Sequence, residues 1–169
     1  MQEVKNLAND EQQFAELIKD VKFVMFTTLE NRSFIHSRPM TILEKEFDGE
    51  LWFFASHSSD IAKQIESYAL VNLTFSNTKD FSFISASGFA EVMDDRAKKE
   101  ELWDPSYKTW FSGVDDPELC LVKVVVKNVD YWKSHDSKLV QLIGFTKAIL
   151  SGEKHKQKLS QREHLEFKS

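Results

Sequence analysis

The chain has 169 residues, 41% hydrophobic and 29% charged, the make-up of a folded globular protein, and its length favours one domain. A net charge of −5 lacks the basic footprint of a nucleic-acid binder, so no nucleic-acid partner is expected. The single cysteine, Cys120, excludes an intrachain disulfide; no stretch approaches a membrane span and residues 1–20 lack a signal-peptide pattern, so the expected location is the cytoplasm, with no membrane partner.

In chain order, Asn9 and Asp10 are candidate caps for a first helix. Phe14, Leu17, Ile18 and Val21 then form one apolar stripe. Phe23–Thr28 reads as a buried strand, Glu30–Ser33 as a hairpin turn, and Phe34–Met40 as the returning strand. Asp48-Gly49 marks a second tight turn into Leu51–Ala55, so the spacing predicts a three-stranded meander. Ser58 or Ser59 caps a short helix whose inward stripe is Ile61, Ile65 and Tyr68. Val71, Leu73 and Phe75 alternate with polar residues as a half-buried strand. Strand-like runs flank Gly88, which marks a bulge or a close backbone approach.

Asp94 and Asp95 open a charged helix to Leu102. A loop broken by Pro and Gly follows, with Trp103, Tyr107, Trp110 and Phe111 concentrated in it. Leu119–Asp130 is the longest strand signal, and Leu139 to Leu150 fits a last helix. Short strands with peripheral helices predict a mainly β fold, a small closed or split barrel. The expected organisation is one domain over 1–152, with terminal helices, and a frayed polar tail over 153–169.

Much chemistry is poorly supported. The five histidines show no ligand pairing with Cys or acids, so no metal is expected. Cys120 lies inside a valine-rich strand, where a buried inert thiol is expected. Nucleophile-elbow, P-loop and dinucleotide fingerprints are absent.

Two features do suggest a ligand. In the strand Phe34–Met40, alternation puts Phe34, His36, Arg38 and Met40 on one face. That mixture of cation, imidazole and thioether suits a planar, partly charged ligand. It equally suits an edge strand with a solvated arginine, and Pro39 argues for an edge. The second feature is Ser56, Ser58 and Ser59 at a strand-to-helix turn, where free backbone N–H groups and hydroxyls make a candidate phosphate seat. Lys63 lies one turn into that helix. A serine-rich start is also an ordinary cap. The aromatic loop reads as a barrel plug, a dimer contact or a ring-stacking wall.

Ser37-Arg38-Pro39-Met40, Leu51-Trp52-Phe53-Phe54, Ser59 and Ser87–Val92 together resemble the pyridoxamine 5′-phosphate oxidase-like flavin-binding split barrels, in particular their general stress protein branch. Leu102–Pro105, Trp110-Phe111, Asp115–Leu119 and Tyr131-Trp132 extend the resemblance, which covers most of the chain from Val21 to Trp132. It implies a six-stranded split barrel, homodimeric, with flavin mononucleotide (FMN) in a groove between subunits. By this resemblance the ring lies along Arg38, Pro39 and Met40, and the phosphate meets Phe54, Ala55, Ser56 and Ser59. Trp110 and Phe111 approach the ring from the partner subunit. Ile61 stands where the branch has a helix-start lysine, and Lys63 is the nearest lysine. The substrate-binding arginines of the true oxidase are not evident, so that reaction is not expected. The resemblance implies an FMN-binding homodimer with a redox or stress-response role, a candidate flavin-dependent oxidoreductase. The departures at Ala55 and Ile61 give the alternative, a non-enzymatic split-barrel protein with weak or lost flavin binding that serves as a ligand store or partner-binding protein.

Overall fold

The computed structural model describes residues 2–31, 33–43, 47–79, 82–133 and 162–167. The elements run α1 (Gln2–Ile18), β1 (Phe23–Glu30), β2 (Phe34–Thr41), β3 (Glu50–Ser56), α2 (Asp60–Ser67), β4 (Leu70–Asn77), β5 (Ser82–Met93), α3 (Arg96–Leu102), a 3-10 turn (Pro105–Thr109), β6 (Leu119–Lys133) and β7 (Arg162–Glu166). The sheet is antiparallel in the order β2-β1-β4-β5-β6-β3, with β7 also on β6. It curls as an open, split barrel. Its two edges, β2 and β3, come together where Leu43 N–H donates to the Trp52 carbonyl at 3.0 Å.

Alternation explains which side is buried. Val24, Phe26 and Thr28 of β1, Val71, Leu73 and Phe75 of β4, and Ile84 and Ala86 of β5 point into one core. β3 is apolar on both faces: Leu51, Trp52 and Phe53 are all buried, because α3 and the aromatic loop cover what the barrel interior does not. α2 closes the core with Ile61 and Ile65, capped by Ser59 Oγ as the spacing predicts. Asp95 caps α3 in the same way.

The structure departs from the sequence reading in local detail: Phe23 and Met25 of the expected buried strand are exposed, and Tyr68 caps α2 instead of joining its inward stripe. It also departs in three larger respects. The meander does not form, because β3 pairs with β6, register Glu50↔Val125 to Ser56↔Leu119, and meets β2 only near its end. α1 begins at Gln2, so Asn9 and Asp10 lie inside it; the good helix formers Glu3, Lys5, Leu7 and Ala8 carry the helix through them. Third, part of the expected frayed tail is ordered. Arg162–Glu166 forms β7 against Asn128–Trp132, and Leu165 and Phe167 are buried. Phe167 joins Phe14 and Phe47 in an edge-to-face cluster, and that burial stabilises an otherwise polar segment. The predicted helix over Leu139–Leu150 lies outside the described residues.

The Asp48-Gly49 turn behaves as its composition predicts. Gly49 has φ +102°, a region side chains rarely enter. Gly49→Ala is expected to cost about 1 kcal/mol. On a domain of this size that lowers the melting temperature by roughly 2–4 °C in a thermal scan.

Candidate functional site

Where the two sheet edges approach, an open cleft of about 380 Å³ lies between β2, β3 and the aromatic loop. Pro39 and Met40 form one wall, Phe54 the floor, and Tyr107, Trp110 and Phe111 the other wall. Phe23, Thr41 and Leu43 complete it, and among the described residues the lining carries no charged side chain. Pro39 is tolerated here because β2 is an edge strand and its missing N–H faces no further strand. Phe54 points away from the buried Phe53 and Ala55 and meets Tyr107 edge-to-face at 5.2 Å and Trp103 at 5.9 Å. Burial pushes the Tyr107 phenol above its ordinary range, with the Asp104 charge adding to the effect.

The loop that presents Trp110 and Phe111 is held by acids. Asp116 accepts from Ser112 N–H at 2.7 Å, from Ser112 Oγ at 2.9 Å and from Glu118 N–H at 2.9 Å. The Ser112 N–H, then the Glu118 N–H, keep that carboxyl below the usual carboxylate range. Asp115 is tied to Arg96 at 2.8 Å. Trp110 itself is 71% exposed at the edge of the cleft.

Arg38 does not project into this cleft. Its guanidinium donates to Thr28 Oγ1 at 2.8 Å and to Gln64 Oε1 at 2.9 Å, joining the β2 edge to β1 and α2. Partial burial lowers its pKa, opposed by the Asp60 charge. His36 of the same face turns to Glu30 at 2.6 Å.

The serine turn is already furnished with an anion. Glu118 Oε2 accepts from Ser56 Oγ at 2.5 Å and from Ser58 N–H at 3.2 Å, and the Glu118 carbonyl accepts from His57 N–H at 2.8 Å. The Ser56 and Ser58 hydrogen bonds hold the Glu118 carboxyl below the usual range. Ser59 Oγ is occupied with the Ser56 carbonyl, at 2.5 Å, and with the Ala62 N–H. Ala55 faces the core, where its carbonyl accepts from Cys120 Sγ at 3.3 Å. Burial pushes that thiol up to about 11, so Cys120 is inert. Lys63 lies on another side of α2, along a shallow depression with Glu30, Asp60 and Gln64.

Of the residues proposed from sequence, then, Pro39, Met40, Phe54, Trp110 and Phe111 line one cleft, while Arg38, Ala55, Ser56, Ser59 and Lys63 do not line it. Sequence reasoning missed Phe23, which alternation marks as outward-facing at the start of β1, and did not carry Tyr107 over from the aromatic loop into the site.

The family profile described as pyridoxamine 5′-phosphate oxidase like matches residues 9–156. The chain belongs to that family. Its fold is shared with a general stress protein 26 from a Jannaschia species, 21% identical over 95% of this chain and 99% of that one, at a TM-score of 0.70. The general stress FMN/FAD binding protein of Xanthomonas citri is 27% identical, covering 77% of this chain and 92% of the other, at a TM-score of 0.66. Protein bli-3 of Neurospora crassa is 24% identical over 142 residues, 78% of this chain and 68% of that protein. Among the described residues, no helix is long and apolar enough to cross a membrane.

These residues fit the two halves of an FMN molecule unequally. The uncharged, aromatic-walled cleft suits the isoalloxazine ring. The serine turn does not suit its phosphate, because Glu118 holds the donors and Ile61, at the start of α2, is apolar and buried in the core.

Proposed function

We propose that this family member is a cytoplasmic, flavin-binding homodimer of the general stress protein type, with the flavin as its redox-active group. The observation that carries the reading is the cleft beside Pro39 and Met40: apolar, walled by Phe54, Trp110 and Phe111, and set at the meeting of two sheet edges. The chemistry would be the ring's own, and the protein supplies its orientation between apolar walls. FMN is the flavin suggested by the resemblance, and the Xanthomonas citri relative is named as an FMN/FAD binding protein.

A second copy of the chain is supported by the outer face of the β2-β1-β4-β5 sheet. Phe23, Met25, Ile35, Leu70, Phe83 and Phe89 are all exposed there, and cross-strand pairing places Leu70 opposite Phe89. A monomer seldom leaves so much apolar surface in one place. Between them, Thr27–Ser37 and Asn72–Ser85 hydrogen bonds, each 2.8 Å, satisfy the polar centre of the face.

A non-enzymatic reading, a flavin store, is favoured by one feature: among the described residues Tyr107 is the single ionisable side chain lining the cleft. The first test is a visible spectrum of the purified protein, then fluorescence titration with flavin. A yellow preparation, or saturable quenching near one flavin per subunit, is expected. Trp110→Ala is expected to weaken binding about 3- to 10-fold through loss of one stacking wall. Because Trp110 is exposed, its loss leaves the melting temperature in place. A colourless protein that ignores flavin removes the reading.

A further inference from the structure

The anion already seated in the serine turn bears on which flavin the cleft prefers. Glu118 directly precedes β6, whose Leu119 pairs with Ser56, so strand register carries the carboxylate to the turn. There it takes the Ser56 hydroxyl and the Ser58 N–H, while Ser56 Oγ and Ser58 Oγ lie 2.9 Å apart. These are the donors an incoming phosphate would need.

Among the described residues no cation forms an ion pair with Glu118, although the nearby His57 ring favours the carboxylate's charged form and Lys63 lies one turn further into α2. His57 Nε2 lies 3.8 Å from Asp94, which is itself paired with the buried Lys99 at 2.6 Å. Arg38 is committed to Thr28 and Gln64. At the start of α2 the chain offers Asp60 and then the buried Ile61. Neighbouring acids therefore meet any phosphate approaching this end, and like charges at such range repel.

We infer that the cleft prefers a flavin ring without a terminal phosphate, of the riboflavin class, with Glu118 occupying the anion position that a phosphate-bearing flavin would claim. This inference rests on the flavin reading above and narrows it. Apolar contact with Met40, Phe54 and Trp110 supplies the attraction, and Glu118 supplies the discrimination.

The experiment is a pair of fluorescence titrations of the full chain at neutral pH, one with riboflavin and one with FMN. Riboflavin is expected to bind about tenfold more tightly. In E118Q the neutral amide keeps the shape of the turn and removes its charge, so FMN affinity is expected to rise about tenfold while riboflavin affinity stays the same. Glu118 is exposed, so the variant should fold, which near-ultraviolet circular dichroism checks. As a measurement independent of the variant, added salt should strengthen FMN binding to the unaltered protein and leave riboflavin alone. FMN binding more tightly than riboflavin to the unaltered protein, or an FMN affinity unmoved in E118Q, overturns the inference and leaves the flavin reading standing. Binding of neither flavin overturns both.

Discussion

Gly88→Ala is expected to destabilise the protein by about 3 kcal/mol, at the upper end of ordinary overpacking costs. A methyl group on Gly88 would sit 2.1 Å from the carbonyl oxygen of Val125, 3.0 Å from its carbonyl carbon and 3.1 Å from the Val126 Cα. All three are backbone atoms of β6, so no side chain can swing aside. The crowding arises at the β5–β6 register shift between Ser87 and Gly88, where the two strands press together. Nor can β6 retreat, because β3 is paired along its other side through Leu51↔Val124 and Glu50↔Val125. The glycine thus lets a central strand change register without losing both of its neighbours. A thermal or urea unfolding curve reads the result, and a loss of roughly 6–12 °C is expected. An unchanged midpoint would mean that the register shift relaxes freely, and that the bulge is not the rigid joint of the sheet.

The sequence signal behind that joint was simple: a glycine interrupting an otherwise strand-like run. Signals of this kind, local in the chain, were the legible ones. Ser59 and Asp95 cap their helices, Cys120 is buried, and Val71, Leu73 and Phe75 face the core. Pairing partners were not legible, because alternation tells which face of a strand is buried and not which strand lies beside it. β3 shows this. The Asp-Gly turn before it suggested a hairpin with β2, yet its doubly buried run Leu51–Phe53 belongs against the long β6. β7 was hidden for a related reason. Only Leu165 and Phe167 are apolar in a polar stretch, and their burial depends on Phe14 and Phe47, far away in the chain. In the candidate site, the apolar half could be read from residue type and the resemblance. The polar half could not, since Glu118 reaches the serine turn only through β3–β6 register.

Arg38→Ala is expected to lower stability by about 2 kcal/mol and to weaken flavin binding about tenfold, the second effect following from the first. The guanidinium fork joins Thr28 Oγ1 and Gln64 Oε1, both on buried residues, to an edge strand that has a neighbour on one side only. Without it Thr28 Oγ1 still donates to Gln64 Oε1 at 2.5 Å, so neither buried group is orphaned, and the cost stays below that of an unpaired buried charge. What is lost is the tie that holds β2 against α2. Pro39 and Met40, the next two residues, form a wall of the cleft and would gain freedom to move. Arg38 is in this sense a positioning residue. Arg38→Lys separates position from charge: it keeps the cation but cannot span both acceptors with one planar fork, so partial loss of both stability and affinity is expected. A thermal scan and a riboflavin titration on the same preparations provide the comparison. If affinity collapses in Arg38→Ala while the melting temperature holds, and lysine restores it, the guanidinium charge acts on the ligand directly. If both fall together and lysine restores neither fully, the edge strand's placement is what the ring requires.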